Sequence, residues 1–416
     1  MSHLQPVRGM RDLLPADHRI YAYIVETAKT IAQRAGFDEI ATPIMEFKEV
    51  FKRPLGDTSD IVSKEMYEIA DRGGEDIVLR PEGTAAVARA VISNGLTQSL
   101  PLKFFYAGPM FRYERPQKGR FRQLHQIGLE LLGVADPLGD VEVISLAYQL
   151  LKQLGLAERV TLEINTLGDA ESRLAYRNKL VAYLQDHRGD LSPDSQTRLD
   201  SNPLRILDTK DAGDKEILKG APRLSESLNS FSREVFARIQ EGLTTLNIPF
   251  TLNDHLVRGL DYYSHVAFEF TTTELGSQSA VLAGGRYDGL METLGGPAIP
   301  GIGWSAGTDR LMMMVAQEDL PPVSAINAMI SLDAQCDFKA LSLAQAARDQ
   351  GFRVDMIYGS NLGKCLKKAD KAGAQVALIL GEAESANDEI QKKDLAGDAK
   401  DQRMIGYEDI PLWLKK

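Results

Sequence analysis

The feature that most constrains the fold of this chain is a pair of long strand-like runs, residues 102–114 and 120–133. They read LKFFYAGPMFRYE and RFRQLHQIGLELLG, and only RPQKG separates them. Strands joined by so short a connection pair with each other, so the runs predict an antiparallel hairpin.

Side chains of a strand alternate between its two faces. On the first strand, one face carries Tyr106, Gly108, Met110, Arg112 and Glu114, and on the second, one face carries Arg122, Leu124, Gln126, Gly128 and Glu130. If these two sets face the same side, they form a polar face with a cation, an amide and a carboxylate. The glycines would let a ligand approach the backbone. Polar residues on one face of a half-exposed sheet are also routine, so an ordinary hairpin remains an alternative.

The hairpin is basic in an acidic chain. The whole chain has a formal net charge of -10, which argues against general coating of nucleic acid. A cleft can nevertheless concentrate positive charge locally, and one carboxylate, Glu114, stands here among Arg112, Arg115, Lys118, Arg120 and Arg122. We therefore weigh a phosphate-binding hairpin against a solvated basic loop.

The remaining composition predicts a cytoplasmic protein without a membrane partner. The N-terminal residues lack a signal-peptide core, and no run approaches the ~18 apolar residues of a membrane span. Cys336 and Cys365 are the only cysteines, and the six histidines form no HxxxH or HExxH pair. We expect neither a disulfide framework nor a structural metal.

The pattern changes along the chain in ways that predict domains. A helix is expected over 16–37, followed by a strand that Pro43 interrupts, which suits an edge or interface strand. Over about 170–250 the sequence has a helical pattern and many charged residues, as expected for a helical insertion into a β-rich domain. A linker with Pro321-Pro322 precedes alternating strands and helices, which favour a small α/β domain.

Three further runs carry candidate chemistry: HLVRGLDYYSHVAFEF (255–270), AGGRYDGL (283–290) and PGIGWSAGTDRLMMMV (300–315). The glycines of the last run do not make a dinucleotide site, because their spacing is GxGxxxG and no strand is predicted before them. We expect them to pack against a sheet and to let a helix present Arg310 to a ligand. Each run alone is also compatible with an ordinary turn or aromatic strand.

Taken in order, these residues resemble a known family over nearly the whole chain. FRYERPQKGRFRQLHQIGLELLG is similar to motif 2 of the class II aminoacyl-tRNA synthetases, in the form found in histidyl-tRNA synthetases. RPEGTAAVARA, LVRGLDYY, GGRYDGL and GIGWSAGTDRL resemble further landmarks of that family, as do RGMRDLLP and NPLRILDTKD.

The resemblance implies an α+β fold with an antiparallel six-stranded catalytic sheet over 1–320, a helical insertion at about 170–250, and an anticodon-binding α/β domain over 325–416. It also implies a homodimer with the region of Pro43 at the interface. The substrates would be ATP, L-histidine and tRNA(His), and Mg²⁺ would accompany ATP, with ligands that the sequence does not assign.

The resemblance also implies roles for single residues. Arg258 and Arg112 would be catalytic cations, and ATP would be held by Arg112, Glu114 and Arg310. Histidine would contact Glu82, Thr84, Gln126, Glu130, Tyr263 and Tyr287. The tRNA would contact the hairpin tip through Arg115, Gln117 and Arg120; in bacterial members, the arginine and glutamine beside the proline help recognise an extra 5′ guanosine. Candidate contacts to the anticodon stem are Arg353, Lys364, Lys367, Lys368 and Lys371.

Two departures and one alternative accompany the resemblance. The family usually has Glu-Arg where this chain has Asp309-Arg310, which puts metal or ribose contacts at that position in doubt. The match around Asn361–Cys365 is loose. The alternative is the histidine-sensing regulatory paralogue of ATP phosphoribosyltransferase, which generally lacks both the anticodon domain and a complete RGLDYY motif.

Overall fold

The structure, a computed structural model, describes residues 4–56, 59–117, 119–257, 262–276, 280–359, 361–396 and 401–415. The chain divides into two compact units, Met1–Leu320 and Pro321–Lys416. This boundary falls inside the linker predicted around Pro321-Pro322. Among the described residues, no helix has the length and apolar character that crossing a membrane requires.

The first unit is built on an eight-stranded sheet and a three-stranded sheet. Its strands are β1 (Asp38–Glu39), β2 (Met45–Phe47), β3 (Tyr67–Ala70), β4 (Asp76–Leu79), β5 (Leu102–Phe111), β6 (Gln123–Leu132), β7 (Thr161–Thr166), β8 (Thr251–Leu252), β9 (Ser264–Thr271), β10 (Ala280–Arg286) and β11 (Gly301–Gly307). Its helices are α1 (Pro15–Arg34), α2 (Glu49–Leu55), α3 (Thr84–Ser93), α4 (Pro137–Gln153), α5 (Ala170–Asp186), α6 (Pro193–Ser201), α7 (Ala212–Leu218), α8 (Ser230–Thr245), α9 (Leu290–Thr293) and α10 (Thr308–Leu311).

The large sheet has the order β1-β5-β6-β11-β10-β9-β7-β8. Its six central strands, β5 to β7 in this order, are antiparallel, as the resemblance implies. The short edge strands β1 and β8 add to it in parallel. Strands β5 and β6 form the hairpin predicted from residues 102–133, with Tyr106 opposite Gly128 and Gly108 opposite Gln126. This register confirms that the two predicted polar sets share one face.

Two sequence expectations need correction. The single strand expected around Pro43 is two short strands in different sheets, since β1 pairs with β5 whereas β2 pairs with β4. Proline lacks the N–H that would continue a ladder through this point. The glycines of 301–307 do not lie beside the sheet, because they are themselves a central strand, β11.

The two faces of the large sheet differ in character. Apolar residues on one face pack against α1, α4 and α8 in a single buried cluster that includes Ile24, Ile127, Leu150, Leu243 and Phe268. Over the other face, α3 packs Val87 against Tyr106 and Met110. The helices α5 to α8 lie within the predicted insertion. The sheet therefore has one sealed face and one face available for chemistry.

The second unit is a separate five-stranded sheet of order β13-β12-β14-β15-β16. Its strands and helices are β12 (Ile326–Ser331), α11 (Asp337–Asp349), β13 (Arg353–Ile357), α12 (Leu362–Lys371), β14 (Ala374–Leu380), α13 (Glu382–Ala386), β15 (Glu389–Asp394), β16 (Gln402–Gly406) and α14 (Ile410–Trp413). Strand β12 is parallel to both β13 and β14, as strand–helix alternation predicts.

Candidate active site

Glycines on the polar face of the large sheet make room for polar side chains to lie against it. A Cβ added to Gly128 would fall 2.2 Å from Cζ of Tyr106, and one added to Gly303 would fall 1.8 Å from Oε2 of Glu130. These separations are far below van der Waals contact, so any larger residue would displace the side chains. The side chains of Tyr106 and Glu130 therefore pack directly over glycines of the sheet.

Glu130 is the buried carboxylate of this face, with 1% of its surface exposed. The hydroxyl of Thr84 donates to Oε1 at 2.6 Å, and the hydroxyl of Tyr287 donates to Oε2. Burial raises the pKa of Glu130 to about 8, against the opposing effect of these two hydrogen bonds. Three of the residues predicted to bind histidine therefore form one buried cluster, which sequence separation conceals.

Glu82 and Gln126 border this cluster. The carboxylate of Glu82 accepts the backbone N–H groups of Thr84 at 2.6 Å and Ala85 at 2.9 Å, which are free donors at the start of α3. Burial raises the pKa of Glu82, while these N–H groups oppose the shift. Gln126 is 7% exposed, and its Oε1 has no hydrogen-bond partner among the described residues. A buried acceptor without a partner is uncommon and suits a ligand donor.

The remaining predicted histidine contact, Tyr263, is also buried beside the cluster. Its ring lies 4.8 Å from that of Tyr262, which in turn meets Tyr287 edge-on at 5.9 Å. From α5, the guanidinium of Arg173 donates to the carbonyl of Tyr263 at 2.7 Å. The predicted catalytic cation Arg258 lies outside the described residues, so its role stays a prediction.

A cleft of about 410 Å³ opens on the same face and is lined by three arginines, Arg112, Arg120 and Arg310. Gln126 lines it too, so the cleft adjoins the buried cluster. Arg112 is oriented by a hydrogen bond from its Nε to the carbonyl of Pro81, at 2.9 Å. Burial, and then the positive charge of Arg120, lower the pKa of Arg310. Converging cations in a recess are suited to a polyphosphate.

The hairpin tip separates the predicted tRNA residues into two groups. Arg115 and Gln117 are exposed, whereas Arg120 lines the cleft and pairs with Glu114 at 2.5 Å. Backbone hydrogen bonds between Gln117 and Arg120, at 2.9 and 3.2 Å, close the tip. The structure thus places Arg120 and Glu114 with the predicted ATP residues, and leaves Arg115 and Gln117 facing solvent.

Two carboxylate–arginine contacts in the structure were not predicted from the sequence. Arg286 of the GGRYDGL run does not reach the cleft: it forms a buried two-point pair with Asp140 of α4, at 2.9 and 2.6 Å. Asp309 is also buried, and it accepts from the backbone N–H of His125 at 2.8 Å and from Arg11 at 2.9 Å. Burial acts to raise the pKa of Asp309, but the side chain and backbone N–H of His125, and then Arg11, hold it below its ordinary value.

The second unit has a cavity of its own, of about 350 Å³, at the carboxyl ends of β12 and β13. Phe338 and Tyr358 line it and remain 83% and 77% exposed. Open α/β sheets bind ligands at this end of their strands. All the basic residues predicted to contact an anticodon stem are exposed: Arg353, Lys364, Lys367, Lys368 and Lys371.

Comparison with known proteins gives this geometry a family. The model of the family described as histidyl-tRNA synthetase matches residues 9–311, and that of an anticodon binding domain matches residues 324–416. The chain belongs to the histidyl-tRNA synthetase family.

Its relatives are similar over their full length. A histidine–tRNA ligase of Rhodospirillum rubrum is 54% identical over 98% of this chain and 97% of its own. One of Gluconobacter oxydans is 49% identical over 99% and 98%. The apo histidyl-tRNA synthetase of S. aureus superposes with a TM-score of 0.82, at 31% identity and with both chains fully covered. The class II synthetase fold with an anticodon-binding domain is thereby confirmed.

Burial of Glu130 predicts a pH dependence of stability. The pKa of Glu130 rises from an ordinary 4.5 to about 8 on folding, so the folded chain holds this proton more tightly than the unfolded chain. The resulting stability is complete below the unfolded pKa and is lost as the pH rises through the folded pKa. Relative to Glu130→Gln, the wild-type free energy of unfolding should fall by at least about 1.4 kcal/mol, the equivalent of one pKa unit, across that range.

Urea unfolding of both proteins at a series of pH values measures this difference, since the glutamine keeps the shape but cannot titrate. Wild-type and Glu130→Gln profiles that stay parallel across the range would contradict the burial of an ionisable Glu130.

Proposed function

We propose that this protein is a histidine–tRNA ligase. It joins the carboxylate of L-histidine to the α-phosphorus of ATP, releasing diphosphate, and then transfers the histidyl group of the adenylate to the 3′-terminal ribose of tRNA(His), releasing AMP. The observation that carries this proposal is the continuity at Gln126 between a buried Glu130–Tyr287–Thr84 cluster and a three-arginine cleft. Ligase-named relatives at about half identity favour the ligase over the regulatory paralogue.

The buried cluster has the chemistry to select an imidazole. Glu130 would accept a hydrogen bond from one ring N–H, while Tyr263 and Tyr287 enclose the ring. The N–H of a bound imidazole would favour the ionised form of Glu130, which burial disfavours. An apolar amino acid of similar size would add no hydrogen bond to those that Glu130 accepts from Thr84 and Tyr287, and this loss favours histidine.

The α-amino group of histidine is assigned to the border of the cluster. Oε1 of Gln126 is buried and finds no partner in the described parts of the chain, so an ammonium N–H would satisfy it. Glu82 and Thr84 supply further acceptors nearby, and the negative charge of Glu82 suits a cation. These contacts would direct the carboxylate of histidine towards the arginine cleft.

The cleft is suited to hold ATP and to stabilise the charge that develops when a carboxylate attacks a phosphate. Arg112 would hold the α-phosphate, Arg310 the γ-phosphate, and Arg258 would add a second cation at the reacting centre. Fixed cations at this point act mainly through electrostatic stabilisation. The pairing of Arg120 with Glu114 inside the cleft supports a nucleotide contact for both.

The cleft residues fit a phosphate-bound Mg²⁺ better than a dedicated metal site. In the described parts of the chain, no three His, Cys, Asp or Glu side chains are grouped to hold a metal. Mg²⁺ on nucleotides needs only one or two carboxylates besides phosphate oxygens, and Glu269 and Glu114 line the cleft. They would hold an ion that neutralises phosphate charge.

Two surfaces are proposed for tRNA. The exposed Arg115 and Gln117 at the hairpin tip lie beside the cleft, where the acceptor end must arrive for transfer. In the second unit, the exposed rings of Phe338 and Tyr358 can stack on an unpaired base, as aromatic residues do in RNA recognition. The lysines of α12 would contact backbone phosphates. Because tRNA and ribosomes are cytoplasmic, we place the enzyme there.

We also propose a homodimer through the region of Pro43. Ile44, Met45 and Phe47 expose 44%, 57% and 55% of their surfaces, and exposed apolar residues close together in the chain favour an interface here. Light scattering should give twice the 45.8 kDa chain mass. If a Phe47→Asp variant kept the mass of the wild-type dimer, these residues would not lie at the interface.

The proposed activity predicts that histidine alone among the standard amino acids supports exchange of diphosphate into ATP. Arg112→Ala should lower the exchange rate at least about 100-fold, because a fixed cation at the reacting phosphate is lost. Arg115→Ala, on the same hairpin but exposed, is the matched control and should keep the wild-type rate. Exchange driven by another amino acid, or none with any, would contradict the proposed function.

The division of the hairpin predicts a second separation. Arg115→Glu should leave histidine-dependent exchange intact while lowering transfer to tRNA about tenfold or more, since a phosphate or guanine contact is replaced by repulsion. Single-turnover transfer from preformed adenylate measures the second step directly. Equal losses in both steps would contradict the placement of Arg115 at the tRNA surface.

A further inference from the structure

Asp309 stands immediately before Arg310, at the position where the family usually has glutamate, and both its oxygens are engaged. Its side chain is 4% exposed. Oδ1 accepts from Arg11 at 2.9 Å, and Oδ2 accepts from the backbone of His125 at 2.8 Å. The same carboxylate therefore connects three segments: the N-terminal residues, strand β6 and the helix that carries Arg310.

The N-terminal partner lies in a short segment, residues 7–11, that we call the strap. The carbonyl of Gly9 accepts the backbone N–H of Arg122 at 2.7 Å, and the carbonyl of Arg122 in turn accepts that of Arg112 at 2.9 Å. A Cβ on Gly9 would lie 2.8 Å from Cγ of Arg122. The strap thus lies against the hairpin where its loop begins, at Arg122, which is hydrogen-bonded to Arg112. We call this place the hairpin base.

Arg11 makes contacts on both sides of this junction. Besides Asp309, its guanidinium lies 4.6 Å from the ring centre of Phe121 and 3.5 Å from the carboxylate of Asp17 in α1. Arg122 contacts the other side of the hairpin, with its guanidinium 3.8 Å from the ring of Tyr113. Charge-assisted contacts between segments about 300 residues apart in sequence can fix the hairpin and the Arg310 helix relative to each other.

We propose that Arg11 and Asp309 form a positioning latch: by holding the strap against the hairpin base, the pair sets the distance between the ATP-binding residues Arg112 and Arg310. The inference rests on the proposed function for the identity of the nucleotide site. It gives Asp309, which also lines the cleft, a role in the protein's own scaffold, because Arg11 and the backbone of His125 donate to its two oxygens.

The latch is tested by nucleotide affinity rather than by stability alone. Arg11→Ala and Asp309→Asn should each raise the KM for ATP in diphosphate exchange about tenfold, while the KM for histidine stays within about twofold, because Glu130 is held by Thr84 and Tyr287 and not by the latch residues. Arg11→Lys should recover part of the loss. Arg8→Ala is the control: it removes an exposed arginine from the same strap and should change neither constant.

A double-mutant cycle separates a latch from two independent contacts. The KM for ATP of the Arg11→Ala/Asp309→Asn protein should be no higher than that of the more impaired single variant, since the two side chains act through one interaction. The latch would be overturned if the fold increases in KM for ATP multiplied in the double variant, or if either single variant left that KM unchanged. An equal rise in the KM for histidine would also overturn it.

Calorimetric titration of ATP without histidine keeps the two proposals distinguishable. If the wild type binds ATP but shows no histidine-dependent exchange, the proposed function fails, while the ATP affinities of the same variants still decide the latch. Arg11→Ala that binds ATP as the wild type does would overturn the latch and leave the proposed function standing.

Discussion

The burial of one carboxylate, Glu130, is the constraint on which the active face of this protein depends. An isolated buried carboxylate is costly, and here hydroxyl donors from Thr84 and Tyr287 partly offset that cost. A Cβ on Gly303 would overlap the carboxylate of Glu130, and one on Gly301 would overlap the ring of Tyr287, so this contact requires both glycines. Replacing either glycine would change the shape of the pocket before it changed the fold.

The same hairpin serves two sites of opposite charge requirement. Its strand β6 carries Glu130 and Gln126 into the buried cluster, while its base and loop bring Arg112 and Arg120 to the cleft. Three arginines converge in one recess, so an acidic chain can bind a polyanion there without attracting nucleic acid over its whole surface. Histidine in the cluster and ATP in the cleft would bring a carboxylate next to a phosphate, which is the geometry that adenylate formation requires.

Local sequence pattern predicted the parts of this arrangement that depend on period-two alternation. The hairpin and the alternation of side chains along each strand follow from residues 102–133 alone, whereas the pairing of Tyr106 with Gly128 comes from the structure. The pairs Arg286–Asp140 and Arg11–Asp309 were missed because their members lie 146 and 298 residues apart, where no periodicity relates them. Strand β11 was missed because its glycines have low strand propensity and exist there to accommodate Glu130 and Tyr287. The roles of single site residues came from the family resemblance, not from spacing.

A crystal structure with L-histidine and a non-hydrolysable ATP analogue would show whether an imidazole binds against Glu130 while the nucleotide lies on the arginines. We expect a ring nitrogen at about 2.7–3.1 Å from the carboxylate of Glu130, with phosphates against Arg112 and Arg310. A histidine ring bound away from Glu130, or phosphates bound outside the cleft, would contradict this expectation.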